Sequence, residues 1–181
     1  MIFLYYILLA EGFEEIEALT QTDVLRRAGI DVKNVGVTGE YVTGSHGITV
    51  KADILITDAA KCVPEGIILP GGIPGTPNIA ANKDAVELIK KVAQKGGLVA
   101  AICAAPSVLG EMGLLKGRKA ICYPGFEDKL TGATVTCEKV VIDGNFITSR
   151  GAGTAMDMAL AIVTYITGEP SDKLSKAMIY G

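Results

Sequence analysis

The chain has 181 residues, 49% of them apolar, with 17 Lys and Arg against 20 Asp and Glu for a net charge of -3. That length and apolar share suit one compact domain over residues 1–181. The slightly acidic balance supplies no basic field for a nucleic-acid backbone or an anionic membrane, so neither is expected as a partner.

The opening stretch, Met1 to Ala10, is apolar and runs straight into Glu11. It lacks a basic lead and is far shorter than the ~20 residues that span a bilayer, so it reads as a buried first strand over residues 2–9. A first helix is expected from Glu14 to Ala28, with acidic residues in its first turn and Gly29 as its stop. Strand two follows at 31–37. Gly44 and Gly47 interrupt any helical period between Tyr41 and Val50, which predicts a β-hairpin there. A strand from Gly66 to Pro70 leads into Gly71-Gly72, a helix is expected over 82–95, and another apolar strand over 97–102.

After Cys103 the pattern gives a short helix through Leu109 to Met112, a strand at 119–122 and an irregular stretch around Pro124. Residues 140–148 alternate about Asp143-Gly144, the signature of a hairpin. The last long helix is expected over 153–167, and residues 170–181 read as a surface tail or short helix. Strands rich in Val, Ile and Leu alternating with amphipathic stretches predict an α/β fold. In it a mostly parallel central sheet is covered by helices on both faces, with a small hairpin excursion.

Four cysteines, Cys62, Cys103, Cys122 and Cys137, lie scattered with no C-x-x-C pair, and His46 is the sole histidine. Neither a disulfide scaffold nor a zinc cage is suggested, so no metal or cofactor is expected, and free thiols fit a reducing cytoplasmic compartment.

In open parallel sheets, ligand sites gather at the carboxyl ends of strands. Three groups fall there. Cys103 ends an apolar strand and is followed by Ala104, Ala105 and Pro106, small neighbours that a sharp strand-to-helix elbow tolerates. A sulfur so placed faces a helix N-terminus, which favours the thiolate, although an isolated cysteine is more often a small buried hydrophobe. Gly71 and Gly72 follow another strand end, where the bare backbone could join the Ala104 N–H as an oxyanion hole; alone, Pro-Gly-Gly is usually just a tight turn. The third group is the run Glu11 to Glu17. Glu14 and Glu15 are expected to solvate the helix dipole, whereas Glu17 shares a face with Gln21, Val24 and Ala28 and so points inward. A desolvated glutamate beside a thiol keeps its proton to higher pH.

Five segments in order, Glu11 to Glu17, Asp23 to Gly29, Leu69 to Gly72, Ala100 to Pro106 and Thr148 to Thr154, resemble the ThiJ/PfpI superfamily, best in its DJ-one branch. The resemblance covers nearly the whole chain. It implies a flavodoxin-like three-layer α/β sandwich, usually a homodimer, with Cys103 as nucleophile, Glu17 as its protonated partner, and Gly72 and Ala104 as amide donors. Arg27 and the loop from Arg150 to Gly153 are placed toward the subunit interface.

The resemblance also implies activity on small dicarbonyls or their adducts, as a glutathione-independent glyoxalase or a deglycase, or a role as an oxidative-stress sensor or chaperone through Cys103. Two positions depart from the pattern. Cys122-Tyr123-Pro124 stands where the branch has histidine before proline, and Ala104 stands where protease-like members have histidine. Tyr123 could donate in place of that histidine, though packing is its more ordinary role, and Cys122 could resolve an oxidised Cys103. His46 reads as a distant turn or interface residue, so no Cys-His pair is expected and peptidase chemistry is disfavoured. A thiamine-related role finds no supporting residue.

Overall fold

The computed structural model describes residues 3–181. In chain order it comprises β1 (Leu4–Leu9), α1 (Glu15–Arg27), β2 (Asp31–Gly36), β3 (Tyr41–Thr43), β4 (Thr49–Lys51), β5 (Ile54–Leu55) and α2 (Ile56–Ala59). There follow β6 (Gly66–Leu69), α3 (Gly75–Ala81), α4 (Lys83–Gln94), β7 (Leu98–Ile102), α5 (Pro106–Glu111), β8 (Lys119–Ala120) and β9 (Thr134–Val135). The chain ends with β10 (Val140–Asp143), β11 (Phe146–Ser149), α6 (Ala155–Thr167) and α7 (Asp172–Ala177). No helix among the described residues is long and apolar enough to cross a membrane.

The main sheet has strand order β10-β11-β7-β6-β1-β2-β5 and is parallel except for the β10–β11 hairpin at one edge. Its five principal strands, β2-β1-β6-β7-β11, follow the 2-1-3-4-5 order of flavodoxin-like folds. Strand periodicity divides the core in two. Tyr5, Ile7 and Leu9 of β1 face α1 and α6, while Tyr6, Leu8 and Ala10 face the core packed by α4 and α5. With both faces covered, the inner strands read as unbroken apolar runs, and every residue of β6 and of β7 is buried.

The expected architecture is present, with local differences. The strand over 2–9 is observed from Leu4, and Ile2 lies outside the described residues. The helix over 82–95 is observed as α4, and α3 is an additional helix before it; the extended backbone of Asn82 ends α3 while its side chain accepts the Ala85 N–H to start α4. β5 and α2 are too short to leave a periodic signal. The strand over 119–122 closes after Ala120 and pairs with β9 outside the main sheet, because the Thr148 hydroxyl takes the Ile121 N–H that a longer ladder would use. The hairpin over 41–50 is observed as β3 and β4, paired antiparallel with Gly47 at φ +82°.

Candidate active site

β1, β6 and β7 end side by side, and the three sequence groups meet there. β7 stops at Ile102, and Cys103 adopts φ +64°, a left-handed conformation shared among non-glycine residues only with Ile179 in the described chain. Such a conformation costs a residue with a Cβ roughly 1–2 kcal/mol, and it turns the side chain away from the strand direction. Two main-chain bonds hold the elbow: Cys103 N–H donates to the Ser149 carbonyl at 3.0 Å, and Tyr123 N–H donates to the Cys103 carbonyl at 2.8 Å.

Gly71 makes room for this turn. A Cβ there would stand 2.7 Å from both the Cys103 Cβ and Glu17 Oε2, so no larger residue fits between the two chains. Gly72, at φ +91°, lies so close to the loop after β1 that a Cβ would come within 2.5 Å of Glu14 N and Gly12 O. This loop is tied to the end of β6 by the Glu14 N–H bond to the Gly71 carbonyl at 3.0 Å.

Glu17 enters from the first turn of α1. Glu14 caps that turn, its Oε2 accepting the Glu17 N–H at 2.8 Å, and Glu17 itself has no exposed surface. Its Oε2 accepts the Gly71 N–H at 2.8 Å, its carboxyl lies beside Cys103 across Gly71, and Oε1 is buried without a partner. Burial, with a contribution from the Glu14 charge, raises the Glu17 pKa to about 7 against the opposing bonds from Gly71 and Cys103. The expected inward turn of Glu17 is observed.

The thiol differs from expectation. Burial first, then the charge and hydrogen bond of Glu17, push the Cys103 pKa up to about 12, while the Ala104 and Gly72 amides pull the other way. α5 is only six residues long and cannot offset these effects. Burial and the neighbouring carboxyl therefore favour the protonated thiol over the thiolate. Gly72 and Ala104 act as expected in one respect, their backbone N–H groups favouring negative charge on the sulfur.

Two further expectations are corrected. Glu15 is not a solvated dipole residue: its side chain is 5% exposed, and its Oε1 accepts the N–H groups of His46 at 2.7 Å and Ile48 at 3.3 Å. Although burial opposes ionisation, those bonds and the His46 side chain keep its pKa below the usual carboxylate value. His46 is likewise not distant. The β3–β4 loop folds back over α1, and His46 lines the same cavity as Cys103, a space of about 490 Å³ bounded also by Glu14, Glu15, Ile16, Glu17, Ile48, Tyr123 and Ala152. The one legible sign was Gly44, where a Cβ would strike the Glu15 carboxyl at 2.3 Å; the glycines that suggested a hairpin also let it close on the acidic run.

Tyr123 is half-exposed on the cavity wall. Cys122 is buried in the core beneath α4 and α5, whereas Cys103 packs against the core on the other face of the sheet. The conjectured disulfide would require one of the two side chains to cross the sheet. Cys62 and Cys137 are exposed and free. Arg27 pairs with Asp23 at 2.6 Å on the outer face of α1, and Arg150 borders a surface hollow beside Tyr123 and Pro124; neither reaches the thiol. Glu14, Glu15 and His46 place one potential metal-donor atom each within 4.8 Å of one another, but Glu14 caps α1 and both Glu15 oxygens already accept hydrogen bonds.

Sheet order and elbow together place the chain among flavodoxin-like α/β proteins that carry a cysteine at the end of an inner strand. Comparison makes this specific: the DJ-1/PfpI family profile matches residues 5–165, and the chain belongs to that family. It is 37% identical over 171 residues to the glutathione-independent glyoxalase DJR-1.2 of Caenorhabditis elegans, covering 93% of this chain and 91% of that one. It is 42% identical over 163 residues to protein DJ-1 homolog B of Arabidopsis thaliana. That match covers 88% of this chain but 37% of the plant protein, so the chain spans well under half the length of this relative. The crystal structure of Drosophila melanogaster DJ-1beta superposes with a TM-score of 0.93 at 34% identity, covering all of both chains.

Proposed function

We propose that the protein converts small α-oxoaldehydes to hydroxyacids without glutathione, or hydrolyses their adducts, using Cys103 as nucleophile and Glu17 as the proton carrier. The observation that carries this reading is the left-handed Cys103 elbow set against a fully buried glutamate, with only Gly71 between them. The glyoxalase name of the nematode relative supports it.

With methylglyoxal, sulfur adds to the aldehyde carbon as Glu17 takes the thiol proton, and the new oxyanion faces the two amides until that proton reaches it. Glu17 then carries the proton of that carbon to the neighbouring one while the first hydroxyl proton passes to the second oxygen. The product is a lactate thioester on Cys103, and water cleaves it to lactate and free thiol. The sulfur's acid–base partner is the Glu17 carboxyl and not an imidazole, since Glu17 and not His46 acts on the Cys103 thiol; peptidase chemistry stays disfavoured. Purified protein is expected to form lactate from methylglyoxal in buffer free of thiols. Absence of lactate with methylglyoxal left intact overturns the reading.

A second reading, oxidant sensing, is favoured by the bare Glu17 Oε1, which would hydrogen-bond an oxygen added to sulfur. Mild peroxide is expected to add oxygen to Cys103 ahead of the exposed Cys62 and Cys137, as read by peptide mass spectrometry. Oxidation of those two with Cys103 unchanged removes this reading.

A further inference from the structure

Both forms of the proposed chemistry end with water attacking a carbon, and Glu17 is poorly placed to prepare that water. It lies at the closed floor of the cavity with no exposed surface, and its proton traffic is with sulfur. The solvent side of the same cavity carries a different arrangement. His46, with 69% of its side chain exposed, holds Nδ1 2.9 Å from Glu15 Oε2 and 3.2 Å from Ser45 Oγ. Glu15 is in turn locked by the N–H groups of His46 and Ile48.

A carboxylate fixed behind Nδ1 keeps the proton on that nitrogen and leaves Nε2 as the basic one, the arrangement by which buried carboxylates orient histidine bases. We infer that His46, oriented by Glu15, is the general base that activates water at the mouth of the Cys103 cavity. The inference rests on the carbonyl reading above. In the step, His46 Nε2 takes a proton from water as its oxygen bonds to the thioester carbon. The carbon–sulfur bond then breaks, lactate leaves, and the thiolate recovers the proton that the water gave up.

The charged and titratable groups facing His46 decide its pH range. From α1 these are Glu15 at 2.9 Å and Glu14 at 3.8 Å; Glu17, Cys103 and Tyr123 line the rest of the cavity, and no lysine or arginine does. Hydrogen bonding to Glu15 and its charge, with Glu14 adding, raise the His46 pKa above the ordinary 6.5. The imidazole thus becomes a free base only above that point, and the water step should accelerate as pH rises through it.

His46 is the chain's sole histidine, so its ring resonances in a proton NMR titration need no assignment. In wild-type protein the midpoint should lie above 6.5 and coincide with the rising inflection of kcat for methylglyoxal. In Glu15→Gln both should move down together. His46→Gln should lower kcat by about a hundredfold, flatten that limb, accumulate a thioester on Cys103 in single-turnover mass spectra, and regain part of its rate in added imidazole. Alkylation of Cys103 by iodoacetamide should keep its wild-type rate, which separates a lost base from a damaged thiol. An unchanged kcat in His46→Gln, or a loss without thioester accumulation or imidazole rescue, overturns the role of His46 while leaving the carbonyl reading standing. Absence of wild-type turnover would instead remove the carbonyl reading itself.

Discussion

Cys103→Ala is expected to lose methylglyoxal conversion by at least about a thousandfold, because removing a nucleophile leaves only the binding and amide contributions to the rate. The backbone makes this a clean test. Residue 103 sits at φ +64°, and alanine carries the same left-handed cost as cysteine, so the elbow should keep its shape and the protein its stability. Cys103→Gly, which relieves that cost, should be inactive too while unfolding at slightly higher denaturant concentration. Lactate formation and a urea titration on the three proteins together decide the point. If Cys103→Ala keeps wild-type turnover, the chemistry lies elsewhere in the cavity.

The sheet was legible because its signals are local and periodic. Apolar runs in β1, β6 and β7 reflect burial on both faces, and the glycine stops at Gly29 and Gly72 reflect positive φ angles of 75° and 91°. α3 was missed because Pro74 to Ala81 has turn-like composition, and its start is set by main-chain bonds from Gly75 to Gly12 and from Thr76 to Gly72 that only the folded loop supplies. Of the site, Cys103, Glu17, Gly72 and Ala104 could be placed because each stands at a strand end or on a helix face. His46 and Glu15 could not. Their meeting depends on how the β3–β4 hairpin folds back across α1, a contact over 31 residues that no pattern within either segment encodes.

The protonation of the thiol was misread for a related reason. A helix start following a cysteine is visible in sequence and argues for a thiolate, whereas the depth of the sulfur and the carboxyl pressed against it are tertiary facts. Placed together, Glu17 and Cys103 resist carrying two charges in one buried space. Burial, with a smaller push from the Glu14 charge, gives Glu17 a pKa close to neutral, where a group can both accept and return a proton during a single turnover.

Holding Glu17 in this state has a cost in stability, which makes Glu17→Gln informative in two opposite directions. In the folded protein Glu17 titrates at about 7 instead of 4.5, so between those values the native state binds its proton more tightly than the unfolded chain does. The stability this confers is fully present below pH 4.5 and is lost as pH rises through 7. The difference amounts to about 3 kcal/mol. Glutamine can still accept the Gly71 N–H but has no proton to lose, so Glu17→Gln should match wild type near pH 4.5 and exceed it by up to about 3 kcal/mol at pH 8 in urea unfolding. Its methylglyoxal turnover should fall by about a hundredfold to ten-thousandfold, since the amide can neither take the thiol proton nor move one between carbons. A variant that is both more stable at pH 8 and nearly inactive places the proton carrier at Glu17. Parallel pH–stability curves for the two proteins would mean that Glu17 titrates alike in the folded and unfolded chains, and its role as a near-neutral proton carrier would fall.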